Sequence, residues 1–502
     1  MALITSTIWG DIAALLITVG FLIILYFKYA FTYWKRKNVP YIEPKFPLGN
    51  LKSYVLRSYV PGPDSAEYYN ELKSRGHKFG GIFTLFRPVL VLTDPDYIKD
   101  ILSKDFQHFV DRGAYHVDED ALTNNLFSIG DDKWKGLRSK LSPTFTSGKM
   151  KMMFNTVLEC SNYMVDFMNE KARSQQDIDI LEVLASFTVD VIGACAFGLN
   201  CNSFKDKDAE FRTVGQSLFK DHGIIHAIKR FLVAAVPDMS KALKIKPTVP
   251  KISNFFFDVV KNTLKYRKEN NISRPDFLQL VINIHKEDPT FTLEDLVAQV
   301  FVFFLAGFDT SSAAMNFTLY ELSRNPEIQN KVREEIKAVL KKHNNNITYE
   351  SLHELKYLGQ VLEETLRLYP SVVTLTRKCT KDYQLRDTDV IIDKGTIVYI
   401  SLYGLHRDPE YYLDPEKYDP DRFSPENQGS RHQFVYLPFG DGPRNCIGLR
   451  FGVMQSKIGL IKMLTNYKFS ISPNAELPLS MVGDVNLLRS QEKLLLRAEK
   501  IP

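Results

Sequence analysis

Cysteine is scarce in this sequence, and what there is lies badly spaced for pairing. Cys160, Cys195, Cys201, Cys379 and Cys446 are five in 502 residues, with no C-x-x-C pair among them. An odd, scattered set excludes a disulfide framework and a zinc knuckle, so any cysteine chemistry belongs to one residue acting alone. An excess of one charge is also lacking: 64 Lys+Arg against 59 Asp+Glu leave a net +5, too little over this length to mark a nucleic-acid binder. With 44% hydrophobic and 25% charged residues, the chain is neither disordered nor fibrous. After residue 50 there is no Gly/Ser linker, repeat or low-complexity tract long enough to divide the chain. Length alone suggests about three domains, but without a linker the expectation is one large body. There is also no G-x-G-x-x-G unit and no room for a flavin domain after Cys446, so redox chemistry would need electrons from a separate protein.

One long hydrophobic run stands at the start. Residues 12–27 read IAALLITVGFLIILYF without a charge, and Ile8 and Trp9 extend the run past Asp11 to about 20 residues, enough to span a bilayer. Lys28, Lys35, Arg36 and Lys37 follow it and no Lys or Arg precedes it. The positive-inside rule then puts the N-terminus in the lumen and the rest in the cytosol, as for an endoplasmic reticulum anchor. A cleaved signal peptide would need a basic start and a small-residue cleavage site, both missing here. The expected divisions are an anchor over 1–28, a basic, proline-rich linker over 29–50 and a catalytic domain over 51–502. Pro40, Pro44, Pro47 and Gly49 suggest that the linker is an extended hinge. The body reads as mainly α with minor β. Two short strands are expected within residues 82–93 around Arg87 and Pro88, then a helix started by Asp94 and Pro95.

A buried helix is expected to cross the body. Thr292 and Asp295 resemble a capping box, and helical sequence runs on to Pro326, a rod of about 50 Å. Residues 296–308 are uncharged but too short to span a membrane, and Gln299 interrupts them. At the centre stands AGFDTS, residues 306–311, an acid and a hydroxyl in an apolar rod. Ala306 and Thr310 share a face, and Gly307 leaves a dent beside them. By itself this pattern also fits a helix kink with Thr310 bonded back to a carbonyl.

The segment FGDGPRNCIG, residues 439–448, delivers Cys446 to the start of a helical run. There the helix dipole and free N–H groups favour a thiolate. A lone thiolate without a nearby histidine suits an axial ligand of haem iron, and a buried inert cysteine is the alternative.

These ten residues match the haem-binding signature of the cytochrome P450 family at every fixed position, and the sequence resembles that family throughout the body. Trp134 to Arg138 is similar to its W-x-x-x-R motif, Glu364 to Arg367 to its E-x-x-R pair, and PDRF at residues 420–423 to its P-x-R-F segment. The resemblance implies a cytochrome P450 fold: a single large haem-containing body with an N-terminal transmembrane helix. It implies haem b with Cys446 as the metal ligand and Phe439 shielding the sulfur. Arg112, Trp134, Arg138, Arg377 and Arg444 would serve the propionates. Ala306 and Gly307 would leave room for dioxygen, and Thr310 with Asp309 would deliver protons. Glu364, Arg367 and Arg422 would form a structural lock. Tyr115, Phe127, Val302, Leu305, Ala306, Val373 and Leu375 would line the substrate pocket.

Within the family, FLAGFDTSS and FGDGPRNCIGLRFG are most similar to microsomal insect family-six enzymes that oxidise xenobiotics. That likeness implies a membrane-bound monooxygenase placing one atom of O2 into a lipophilic substrate such as an insecticide or plant toxin. NADPH would act only indirectly, through NADPH–cytochrome P450 reductase, with cytochrome b5 as a further partner; no nucleic acid is involved. Lys133, Lys135, Lys140, Lys149, Lys151, Arg444 and Arg450 are candidates for a basic docking face. The alternatives are a hormone or fatty-acid hydroxylase, a haem-thiolate isomerase or dehydratase, and an inactive tethered binding protein.

Overall fold

The computed structural model describes residues 8–51, 64–206, 209–218, 223–274, 276–484 and 487–501. The apolar run forms the helix Ile8–Ala30, none of whose residues is buried. Two other helices, Ile180–Phe197 and Leu293–Arg324, are long and apolar enough to cross a membrane, but both lie largely inside the body. At the end of the first helix Tyr26 and Phe27 pack edge-on against Phe86, with ring centroids 5.4 and 5.5 Å away.

The expected hinge over residues 29–50 is instead docked on the body. Trp34 is 1% exposed, and its indole Nε1 donates to the Ile82 carbonyl at 3.0 Å. Gly81 makes room for it, since a Cβ there would lie 2.3 Å from the indole. Gly81 N donates to Pro40 O and Ile42 N donates to Gly81 O. Lys37 pairs with Asp393, which also accepts from the Tyr33 hydroxyl at 2.8 Å. The reason is edge protection. Strand Phe79–Thr84 is the outer member of its sheet, and the extended, proline-set backbone supplies the partners such an edge needs.

The two expected strands are Phe79–Thr84 and Arg87–Leu92, paired antiparallel. Arg87–Leu92 then runs parallel to Ile397–Ser401, which pairs antiparallel with Thr374–Lys378. Asp94 caps the next helix by accepting from Asp96 N. One apolar core surrounds this sheet, with Phe83, Leu92, Val398 and Ile400. The larger core surrounds the central helix Leu293–Arg324.

That helix opens on the expected capping box, in which Thr292 and Asp295 exchange bonds of 3.1 and 2.9 Å. Gln299, the polar residue within its uncharged stretch 296–308, is buried and satisfied. The Gln299 amide donates to the Asp295 and Asn124 carbonyls and accepts from Leu126 N at 2.9 Å. The loop that carries Phe127 is thereby fastened to the central helix.

Helix Lys356–Leu368 carries Glu364 and Arg367, both fully buried. One turn apart, they meet through two bonds of 2.7 and 2.8 Å. Arg367 also donates to the carbonyls of His406, Pro415 and Lys417. Arg422 Nε lies 3.4 Å from Glu364. Four segments are thus locked by one charge pair whose donors are spent on carbonyls. Arg367→Ala removes the two-bond partner of buried Glu364 and leaves it only Arg422 and the Asp419 N–H, and we expect it to cost about 3–5 kcal/mol, read as a lower melting temperature and a poor yield of folded protein.

His406 is completely buried and accepts from Leu437 N at 3.0 Å. Burial, with Arg367 and Arg407 nearby, pushes its pKa from 6.5 down to about 3. The folded chain therefore keeps this ring neutral while the unfolded chain protonates below about 6.5. Stability from this group is complete above that value and falls on acidification towards pH 3, by at most about 1.4 kcal/mol per pH unit. Urea titrations between pH 7 and 4 are expected to show a shallower acid loss in His406→Gln than in the parent.

Candidate active site

The loop before the post-cysteine helix Leu449–Asn466 is bent by two glycines of positive φ, Gly440 and Gly442. At Gly442 a side chain is impossible, since its Cβ would sit 1.9 Å from the Leu102 carbonyl oxygen. The bend closes through Cys446 N donating to Phe439 O at 2.9 Å, and it leaves Phe439 half-buried. Cys446 itself is exposed, whereas Cys160, Cys195 and Cys379 are buried. Burial pushes the thiols of Cys160 and Cys379 up to about 12 and 11, and holds those of Cys195 and Cys201 high as well. At Cys446 burial also raises the pKa, but the Gly448 backbone and the charges of Arg112 and Arg138 oppose it. Among the five, this is the thiol flanked by arginines, which favour its anion.

Four arginines converge beside it. Arg138, on the helix Asp131–Leu141, donates to Asn445 O and Asn445 Oδ1 at 3.0 and 2.9 Å. Arg112 donates to the carbonyls of Arg444 and Phe127 at 2.9 and 3.2 Å. Arg444 is buried, donates to the carbonyls of Val110 and Ile129, and lies 4.7 Å from the centroid of the Trp134 ring. Arg377, on strand Thr374–Lys378, is equally buried. Burial lowers the pKa of each, to about 9 for Arg377 and about 10 for Arg444, and Arg112 is depressed further by Arg444 and Arg377. The one carboxylate paired with them among the described residues is Asp111, 3.9 Å from Arg444. Trp134 Nε1, Arg377 Nε and Arg444 Nε are buried donors without a protein acceptor. A cluster with surplus positive charge and idle donors suits a multivalent anion.

The central helix lies against the post-cysteine helix, with Phe303 and Phe451 rings 5.6 Å apart and Gln455 donating to Gly307 O at 3.2 Å. Val302, Ala306 and Thr310 form one stripe, of which Ala306 is exposed although the helix is otherwise largely buried. Thr310 Oγ1 donates back to Ala306 O at 2.7 Å, and the helix continues unbroken through this turn to Arg324. The dent at Gly307 is not open space. A Cβ there would lie 2.4 Å from Ile192, so this glycine serves close helix packing, and the open position is Ala306 alone.

The remaining positions scatter around this junction. Phe127 stacks under the Arg112 guanidinium at 4.3 Å, beside the arginine cluster. Leu375 is half-buried and reaches to 3.9 Å of the Gly440 Cβ position, and Leu305 is half-buried beside Ala306. Val373 has no exposed surface: it lies in the core, so its side chain does not reach open space as expected. The Tyr115 hydroxyl is committed to the Ile245 carbonyl at 2.9 Å.

The sequence profile of the family named cytochrome P450 matches residues 46–497. The chain belongs to the cytochrome P450 family. Among curated relatives it is 40% identical to probable cytochrome P450 6a14 of Drosophila melanogaster over 490 residues, covering 94% of this chain and 96% of the relative. It is 41% identical to cytochrome P450 6A1 of Musca domestica over 471 residues, 91% and 92% of the two chains. It is 39% identical to cytochrome P450 6a2 of Drosophila melanogaster over 509 residues, 97% and 99%. A cytochrome P450 is a monooxygenase whose haem iron takes a cysteine thiolate, and the residues present fit that group. Its two propionates would answer the unmatched guanidinium charge and the idle donors of Trp134, Arg377 and Arg444, beside an exposed thiol.

Two participants escaped the sequence reading. Asn445 holds Arg138 through its backbone and its side chain; its place beside Cys446 was the available signal. Arg489 pairs with Asp309 at 2.5 Å from 180 positions away, with no local motif to mark it. Trp134→Phe keeps the ring near Arg444 and removes only its donor. Haem loss to apomyoglobin is expected to quicken about tenfold in that variant, as for one lost bond to a charged acceptor.

Proposed function

We propose that this cytochrome P450 is a membrane-bound monooxygenase of the endoplasmic reticulum, oxidising lipophilic xenobiotics such as insecticides or plant toxins. The observation that carries the oxidative part is the meeting of two features at one helix junction: an exposed, arginine-flanked Cys446 and the open Ala306–Thr310 face. Likeness to the insect relatives supports the substrate class. The uncovered helix Ile8–Ala30, with its basic flank, supports an anchor within 1–28, a lumenal N-terminus and a cytosolic catalytic domain over 51–502.

Bound haem supplies dioxygen binding and two-electron activation at iron, with O2, substrate, NADPH and H+ giving hydroxylated product, water and NADP+. The chain's part is placement. Cys446 would ligate the haem iron, and Phe439 would limit water at the sulfur. Arg112, Trp134, Arg138, Arg377 and Arg444 would bind the propionates. Ala306 leaves open surface on the central helix. Thr310 orients a proton at its hydroxyl, and Asp309 exchanges protons with water behind it. Phe127, Val302, Leu305 and Leu375 shape the apolar wall.

Electrons come from a flavoprotein NADPH–cytochrome P450 reductase, with cytochrome b5 as a second donor. The basic docking face is smaller than the seven cations suggested. Lys135, Lys140 and Lys151 are engaged by Asp132, Asp288 and Glu350, and Arg444 is buried. Lys133 and Arg450 remain exposed, with Lys149 half-buried between.

A reduced carbon monoxide difference spectrum tests the ligand: Cys446→Ala should abolish the red-shifted band of a thiolate haem. In membranes reconstituted with reductase, Thr310→Ala should keep that band yet yield about tenfold less product per NADPH, the balance appearing as peroxide. Rearrangement of an organic peroxide without NADPH or reductase would instead identify an isomerase or dehydratase.

A further inference from the structure

Gln299 stands in the apolar middle of the central helix and takes no part in the proposed chemistry. It is 1% exposed, yet both ends of its amide are in use. Oε1 accepts from Leu126 N at 2.9 Å, while Nε2 donates to Asn124 O at 3.3 Å and, within its own helix, to Asp295 O at 3.2 Å. The amide is anchored on one helix and holds two residues of one loop, both just ahead of Phe127.

Phe127 is fixed from its other side as well. Its carbonyl accepts from Arg112 at 3.2 Å and from Arg444 at 3.3 Å, its N–H donates to Asn125 Oδ1 at 2.9 Å, and the Arg112 guanidinium lies 4.3 Å from its ring centroid. Between these anchors the side chain is left 47% exposed. On the helix, Gln299, Val302, Ala306 and Thr310 fall at i, i+3, i+7 and i+11, which is one face. The residue that holds the loop therefore ends the stripe that carries the open position at Ala306. An apolar side chain of the same length would leave the buried Leu126 N–H without this acceptor, and the loop would have to move to find another. The reach of one glutamine thus sets the spacing between that stripe and the Phe127 loop.

We propose that Gln299 is a positioning residue that sets ligand selectivity: acting through Leu126, it holds the Phe127 ring in place as a pre-formed wall of the pocket. A wall already in place needs no ordering when a bulky ligand binds, whereas a loose loop must be ordered each time. Ligands too small to reach the wall gain nothing from it. The inference rests on the reading of Phe127 as part of the apolar wall.

The test uses the full-length holoenzyme in lipid vesicles, titrated with imidazole and with clotrimazole, a bulky azole that carries three aromatic rings on one carbon. Both ligate ferric haem through nitrogen and shift its Soret band, so affinity is read without turnover. Gln299→Met is expected to weaken clotrimazole about fivefold relative to imidazole, the size of one lost hydrogen bond. A residue that served only the fold would lower the melting temperature or haem retention and leave that ratio alone. Phe127→Ala should move the ratio the same way, and in that background Gln299→Met should change it no further. If Gln299→Met does not retain haem, Gln299→Asn, whose shorter amide cannot reach both loop residues, carries the same expectation. A ratio that stays unchanged in the Gln299 variant, or moves by the same factor with and without the Phe127 ring, would overturn the role of Gln299. An unchanged ratio in Phe127→Ala would show instead that Phe127 is no part of the wall, and the proposal falls with that reading.

Discussion

Guanidinium groups repel one another, and burial strengthens that repulsion because little water is present to screen it. Around Cys446 the fold nevertheless gathers Arg112, Arg138, Arg377 and Arg444, with burial and neighbouring arginines together lowering the pKa of Arg112. Each is held mainly by carbonyls: Val110, Phe127, Ile129, Arg444 and Asn445 serve Arg112, Arg138 and Arg444, and Thr376 serves Arg377. Those bonds tie the cysteine loop to the segment 109–130 and to the helix Asp131–Leu141. Among the described residues only Asp111 offers a carboxylate to the cluster. Haem bound there would act as a counter-ion as well as a cofactor, and its binding free energy would become part of the stability of the folded enzyme.

The second arginine-centred lock has the opposite character. Glu364 and Arg367 neutralise each other, and the spare donors of Arg367 are used by the carbonyls of His406, Pro415 and Lys417. Nothing is left over for a ligand. This lock can hold the segments leading to the cysteine loop before haem arrives, through His406 and its bond from Leu437. One lock thus sets the scaffold and the other waits for the cofactor.

How much of this was legible in the sequence depended on distance along the chain. Cys446, the Thr292 cap, the two strands within residues 82–93 and the Glu364–Arg367 pair are local patterns, and each lies where local physics puts it. The misreadings all required a distant partner. Prolines at 40, 44 and 47 suggest a hinge until one sees the open edge of strand Phe79–Thr84, which needs covering. Gly307 suggests room for a ligand until Ile192 fills it from another helix. Val373 sits beside expected pocket neighbours, but the packed chain leaves it no exposed surface. Arg489 had no local signal, because an ion pair between a helix and a hairpin leaves no spacing to read.

The docking of residues 29–50 also decides where this protein can be cut. Removing the apolar helix is the obvious way to handle the enzyme in water, and the basic cluster at Lys35, Arg36 and Lys37 looks like a convenient place to begin again. A chain restarted there would lose Trp34, which fills the space at Gly81, and Phe31, whose ring meets Phe83 at 5.2 Å. It would expose apolar surface on the sheet core and remove the indole bond to the Ile82 carbonyl of the edge strand. The body begins, in the sense that matters for an engineer, at the last turn of the apolar helix Ile8–Ala30 and not at the end of its basic flank.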